Sequence, residues 1–235
     1  MAKRGGTAHQ KRLAITKEIP INNKKEYTWI IKQAPGPHPK KHSIPLLVFL
    51  REMLKIAKTS KEASKILNQG AIKIDGKIRK KADFPIGFMD VVSLKTGENY
   101  RIIIDTGGRL RPVPINEDQA KTKVLKVVKK HTAPKGKHIL TFHDGRNLIG
   151  DNNVSVGDSV IFSLKDYKLA SLLKLEKGCR CLIREGKHVG VIATLKDIQP
   201  RIGRPDEAIV NTEKEEFITV AKYLFVVDKS FKGAS

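Results

Sequence analysis

The chain carries 46 Lys and Arg against 24 Asp and Glu over 235 residues, a formal net charge of +22 and a pI near 10.0. An excess of that size repels itself in a compact state unless a polyanion neutralises it, which points to nucleic acid as the partner. A membrane is set aside, since no apolar run approaches the roughly 18 residues of a spanning helix and the start MAKRGGTAHQ lacks a signal peptide's apolar centre.

Two cysteines exclude a disulfide scaffold and fit a reducing, cytoplasmic setting. At 40% hydrophobic the chain can bury cores, and its length suggests one to three small domains. An aromatic content of 6% argues against a surface that grips single strands by stacking many bases. Residues 1–42 carry a net +8, 43–106 carry +5, 107–174 carry +7, and 175–235 only +2. One basic run reads as a solvated face, but an excess sustained over three consecutive segments does not.

The first eight residues hold Lys3, Arg4, Gly5 and Gly6 with no apolar period, so they are expected to be disordered alone. Residues 9–42 read as basic and irregular, with Lys11, Arg12 and a small apolar patch at Tyr27, Trp29, Ile30 and Ile31. Residues 2–25 are expected to form an arm that threads between RNA helices and orders only on assembly. Residues 34–41 (APGPHPKK) cannot be helical, because each proline removes a donor and restricts its predecessor, and read as an extended strap. A helix is predicted from residue 45 to about 57, apolar nearly all round at its start, with Arg51, Lys55 and Lys58 along one face.

A second, short helix follows. Thr59 and Glu62 have the spacing of a capping box, Ala63, Ile66 and Leu67 recur at helical spacing, and Lys61 and Lys65 fall on the opposite face. Gly70 marks its end. Ile72 and Ile74 alternate as a strand, and Asp75-Gly76 supplies a two-residue hairpin turn ahead of Lys77, Arg79, Lys80 and Lys81. Lysines on a helix beside a basic hairpin make a surface suited to phosphate.

Beyond Val91 the period changes to two. Residues 100–105 and 110–115 read as a hairpin around a TGGR turn, 116–122 as a single helical turn, and 124–130, 137–149 and 159–164 as further strands. A second β unit is expected from about 178 to 227. The class predicted is α+β and multidomain, with small barrels or sandwiches.

Possible chemical sites have plainer readings. Cys179 and Cys181, with His188 nearby, fall short of the four ligands of a closed zinc site and read as core-facing thiols. Residues 70–77 have the wrong glycine spacing for a phosphate loop, and Ile78 stands where a hydroxyl would hold magnesium. His138, His143 and Asp144 lack a nucleophile in a strand-to-helix elbow. No catalytic residue, metal, cofactor or small-molecule substrate is predicted.

In family terms, residues 35–55 (PGPHPKKHSIPLLVFLREMLK), 72–94 (IKIDGKIRKKADFPIGFMDVVSL) and 96–109 (TGENYRIIIDTGGR) resemble the archaeal and eukaryotic small-subunit ribosomal protein family S4e, and AHQKRLA (8–14) is similar to its N-terminal signature. The resemblance implies a basic arm (1–42), an S4-type RNA-binding α/β unit (43–106), a β-rich central domain (107–174) and a C-terminal SH3-like barrel (175–235). GCRCLIREGKHVGVIATL (178–195) is similar to a KOW motif, with Gly186 and Gly190 in its turn and a shorter loop than the family's. It further implies a non-enzymatic place in the cytoplasmic small ribosomal subunit, on its RNA and beside other ribosomal proteins, with an archaeal type favoured by the chain's compactness. Lys3, Arg4, Lys11, Arg12, Arg51, Lys55, Lys58, Lys61, Lys65, Lys77, Arg79, Lys80 and Lys81 are the candidate RNA contacts.

Two other classes compete. A pseudouridine synthase with an S4-type domain needs an aspartate where Gly108-Arg109-Leu110-Arg111 places arginine, and a methyltransferase needs a βαβ unit. A KOW-type transcription factor fits the C-terminal part but neither the basic arm nor the helix–hairpin unit.

Overall fold

The computed structural model describes residues 6–21, 23–150, 152–212, 215–228, 231 and 233; Lys3 and Arg4 lie outside them. Contacts divide the chain into two compact units, one formed by the residues up to Ile103 with Arg109–Ala120, the other by Ile104–Gly108 and the residues from Lys121 onward.

The first unit opens with a small antiparallel sheet, β1 (His9–Lys11) and β2 (Trp29–Ile31), in which Lys11 stands opposite Trp29. The irregular reading of residues 9–42 is corrected at His9–Lys11 and Trp29–Ile31, which pair as strands. Ile15, Ile19, Ile21 and Ile30 are all buried, and that apolar surface offsets the entropy of ordering the segment.

The prolyl strap leads to β3 (Ser43–Pro45), and two glycines seat it. A Cβ on Gly87 would lie 2.3 Å from His38, and one on Gly36 would lie 2.5 Å from Pro85. His38, itself buried, places Nε2 2.9 Å from both carboxylate oxygens of Asp90, which also accepts from the Gly87 N–H at 2.8 Å.

The predicted helix over 45–57 is shorter and wider. It consists of α1 (Leu46–Val48) and a π-helical turn (Phe49–Met53), closed by the Leu54 N–H donating to the Phe49 carbonyl at 3.0 Å. The wide turn keeps Leu46, Leu47, Val48, Phe49 and Leu50 all buried. Lys55 then takes φ +55° and turns the chain back so that Ala57 is buried.

The capped helix α2 (Ser60–Asn68) follows as the spacing predicts. Next come β4 (Ile72–Ile74), β5 (Lys77–Ile78), β6 (Pro85–Gly87), β7 (Val91–Leu94), β8 (Asn99–Ile104), β9 (Leu110–Ile115) and the single turn α3 (Glu117–Ala120). β3 pairs with β6, and the five-stranded sheet runs β5-β4-β7-β8-β9, with the expected 100–115 hairpin at its edge.

The second unit holds two antiparallel five-stranded sheets. The first contains β10 (Thr122–Thr132), β11 (His138–Phe142), β12 (Asn147–Gly150), β13 (Ser159–Ser163) and β14 (Leu169–Leu173) in the order β12-β11-β10-β13-β14. The second contains β15 (Arg180–Ile183), β16 (Ile192–Gln199), β17 (Glu207–Asn211), β18 (Glu216–Val220) and β19 (Leu224–Val226) in the order β18-β17-β16-β15-β19. Alternating side chains Ala193, Leu195, Ala208 and Val210 join Cys181, Ile183, Leu224 and Val226 in one core.

A buried lysine ties these sheets together. Lys126 of β10 donates from Nζ to the Lys222 carbonyl at 2.8 Å and to that of Leu224. Burial first, then the nearby Arg184 and Lys222 charges, pull its ammonium down to about 8, against the opposing pull of Cys181 and Glu185. Between pH 8 and 10.5 the unfolded chain thus holds the proton that the folded chain has lost, so this residue's contribution to stability rises with pH. The unfolding free energy of wild type relative to Lys126→Met should shift in wild type's favour by about 3 kcal/mol across that window. Paired denaturant titrations check this, and a pH-independent difference contradicts it.

Candidate nucleic-acid interface

The basic helix–hairpin is positioned by local rules that close on each other. Thr59 Oγ1 accepts from the Glu62 N–H at 3.2 Å, while Glu62 Oε2 accepts from the N–H groups of Lys58 at 2.9 Å and Thr59 at 3.3 Å. These backbone donors hold the Glu62 carboxyl below its usual range. Ala63 and Leu67 are buried, which fixes the rotation of α2 and leaves Lys61 and Lys65 exposed one turn apart. A groove of about 600 Å³ along that outer face is lined by Ser60, Lys61, Ser64, Lys65, Asn68 and Gln69.

Gly70, at φ +68°, ends the helix, and β4 begins two residues later. Asp75 at φ +48° and Gly76 at φ +78° form a two-residue turn with both φ positive, as a type I′ hairpin requires. Asp75 is more than a turn residue, because its Oδ1 accepts from the Val91 N–H at 3.0 Å and ties the hairpin to β7. The returning arm lies against the end of α2. Ile78 Cγ2 and Lys80 Cε come within 3.3 and 3.8 Å of where a Cβ on Gly70 would sit. The helix end and the basic cluster are thus adjacent, with Lys77, Lys80 and Lys81 exposed.

Other predicted contacts fall elsewhere. Arg79 is half-buried, with its guanidinium 4.5 Å from the centre of the Phe84 ring. Arg51, Lys55 and Lys58 do not share a helix face, since the helix has ended before Lys55. Lys55 and Lys58 are exposed in the connection, whereas Arg51 donates to Ser60 Oγ at 3.0 Å and to Glu52 at 2.7 Å.

Lys11 is exposed on β1, but Arg12 turns inward and is 1% exposed. Its fork reaches Glu52 at 3.1 Å and the Asn23 carbonyl at 3.0 Å, with Glu26 at 3.6 Å. Burial alone would raise the Glu52 carboxyl, but hydrogen bonds and charge from Arg51 and Arg12 outweigh it and lower the group below 4.5. Lys73 is not among the contacts predicted from the sequence. It is exposed between buried Ile72 and Ile74, and the period-two alternation was the available signal.

In the second unit the loop between β15 and β16 carries Gly186 at φ +99° and Gly190 at φ +80°. A Cβ on Gly190 would lie 2.2 Å from the Asp105 carbonyl oxygen, a close approach of two backbones that only glycine allows. Cys179 and Cys181 have Sγ atoms 3.4 Å apart, and Cys181 is fully buried. The hydrogen bond that Cys181 shares with Cys179, and then burial, push its thiol far up. Among the described residues no group of three or more His, Cys, Asp or Glu side chains could hold a metal ion. Asp144 binds Lys123 at 3.3 Å and Arg146 at 3.0 Å, while His143 Nδ1 accepts from the Lys126 N–H at 3.2 Å. Asp144, Lys123 and His143 are buried, which fits structural roles.

Residues 44–92 match the model of the S4 domain, and residues 96–169 that of Ribosomal family S4e. The chain is 39% identical to the small ribosomal subunit protein eS4 of Methanothermobacter thermautotrophicus, over 97% of this chain and 96% of the relative. It is 36% identical to the protein of that name from Methanocaldococcus jannaschii, over 97% and 96%. The crystal structure of the 30S ribosomal protein S4e from Thermoplasma acidophilum superposes with a TM-score of 0.71 at 33% identity, covering 80% of this chain and 96% of that one. The chain belongs to the S4e family of ribosomal proteins, a structural and not an enzymatic family.

Proposed function

We propose that the protein is a structural constituent of the small ribosomal subunit that binds and organises small-subunit ribosomal RNA, beside other ribosomal proteins. The observation that carries this reading is the capped α2 packed against a basic type I′ hairpin, inside a segment that matches the S4 domain. Lys61, Lys65, Lys77, Lys80 and Lys81 are its phosphate contacts, and Lys73 extends them. Folded RNA is read largely by shape, backbone and 2′-hydroxyl contacts, which suits such a surface. Lys3 and Arg4 add charge on their sequence alone.

The division at 43–106, 107–174 and 175–235 is the functional organisation proposed for the rest of the chain. The last segment is read as an SH3-like barrel with a KOW turn. What supports this is its five antiparallel strands around one core and the glycine-permitted approach at Gly190. Its low net charge, +2, suits a second RNA element or a protein neighbour.

The full chain, mixed with small subunits stripped of their own copy, should sediment with them through sucrose at moderate salt. Crosslinks to RNA should map to α2 and the hairpin. A chain left at the top of the gradient, or crosslinked only through other segments, contradicts the proposal.

A further inference from the structure

We infer that the outward face of the β1–β2 sheet is a stacking site for one unpaired RNA base, with Trp29 as the platform and Lys11 as the adjoining phosphate contact. The inference rests on RNA binding as proposed above and adds a separate, single-stranded contact to it.

The register sets the two faces of this sheet. Lys11 pairs with Trp29 and His9 with Ile31, while Gln10 pairs with Ile30, which is buried. Residues paired across a ladder project to the same side, so His9, Lys11, Trp29 and Ile31 share the face opposite Ile30. Trp29 remains 53% exposed there, although a ring of that size normally covers a core. The His9 and Trp29 rings stand nearly perpendicular, with centroids 4.7 Å apart and an interplanar angle of 81°. That contact fixes the indole plane without stacking upon it. Two residues earlier Tyr27 is 56% exposed, and the Arg12 guanidinium lies 5.4 Å from its ring centre.

The surroundings choose the occupant. Residues 6–32 hold six Lys and Arg against two Glu, so the rings sit in a cationic field. A protein partner burying an aromatic anchor favours a core depleted of charge. A nucleotide needs a flat apolar surface beside a positive charge, and that is what Trp29 and Lys11 supply across one ladder step.

Trp29 is the only tryptophan of the chain, so its fluorescence reports on this face alone. The full chain should be titrated with a short oligouridylate and with an RNA duplex of equal length, while labelled-RNA anisotropy follows binding independently. Stacking predicts strong quenching by the single strand and little by the duplex. Trp29→Leu should weaken oligouridylate binding about tenfold, with unchanged circular dichroism, and Trp29→Phe should retain most of the affinity. RNA binding by anisotropy without quenching overturns the stacking site and leaves the RNA-binding reading intact. Absence of both overturns both, and quenching restored only by a neighbouring ribosomal protein assigns the face to protein instead.

Discussion

Reversing the two exposed lysines of α2, Lys61→Glu with Lys65→Glu, is expected to lower the affinity of the full chain for small-subunit ribosomal RNA about 100-fold near 0.15 M salt. Each lysine that neutralises a phosphate releases counterions. Losing two such contacts should therefore reduce the slope of log affinity against log salt by about 2. Phosphate contacts carry no base information, so the loss should be similar across structured RNA targets. The fold should tolerate the change, because both side chains are exposed and a glutamate in the first turn of α2 at 61 offsets the loss of a cation from its last turn at 65. A matched control is Lys174→Glu with Lys177→Glu, two exposed lysines at the border of the near-neutral last segment that pair with Glu176 and Asp197. Filter binding over a salt series separates the outcomes. If the α2 variant binds like wild type while the control loses affinity, the interface lies in the second unit.

The parts of this face that were legible in the sequence are those whose cause lies within four residues. A capping box spans Thr59 to Glu62, a type I′ turn is two residues, and a helix stop is one glycine; in each the side chain and the backbone it serves are neighbours. What could not be read depends on partners far along the chain. Arg12 and Glu52 are 40 residues apart and His38 and Asp90 are 52 apart, so burial of Arg12 or of His38 has no local signature. Lys126 looked like one more member of a basic strand until the carbonyls of Lys222 and Leu224 took up its ammonium. The helix after Pro45 stops at Met53, short of the predicted 57, for a related reason. Its apolar start is real, but the π-helical turn and the retreat at Lys55 come from burying Ala57, a demand set by the rest of the core. Charge counting therefore locates the interface in outline. Only the packing tells which cations face outward.

Arg12 puts that distinction to its sharpest test, because sequence and structure assign it opposite directions. If the guanidinium holds the first unit together, Arg12→Ala should destabilise the chain by about 3 kcal/mol, a fall of about 6–12 °C in melting temperature for a chain of this size. Glu52→Ala should cost as much or more, because it leaves the buried guanidinium facing Glu26, which is farther away and half-exposed. Replacing both, with Arg12→Met and Glu52→Leu, should recover part of the loss, since an apolar pair incurs no desolvation of charge. The network's contribution should also depend on pH in one direction. The Glu52 carboxyl is lowered on folding, so the contribution is complete above about pH 4.5 and is lost as pH falls through the lowered value. In Glu52→Gln that acid loss should be smaller. RNA binding by whatever fraction of Arg12→Ala remains folded should keep the wild-type salt slope, because the side chain makes no outward contact. A variant that melts like wild type yet loses one unit of salt slope would show that the arginine serves phosphate, and that the first unit is held by its isoleucines alone.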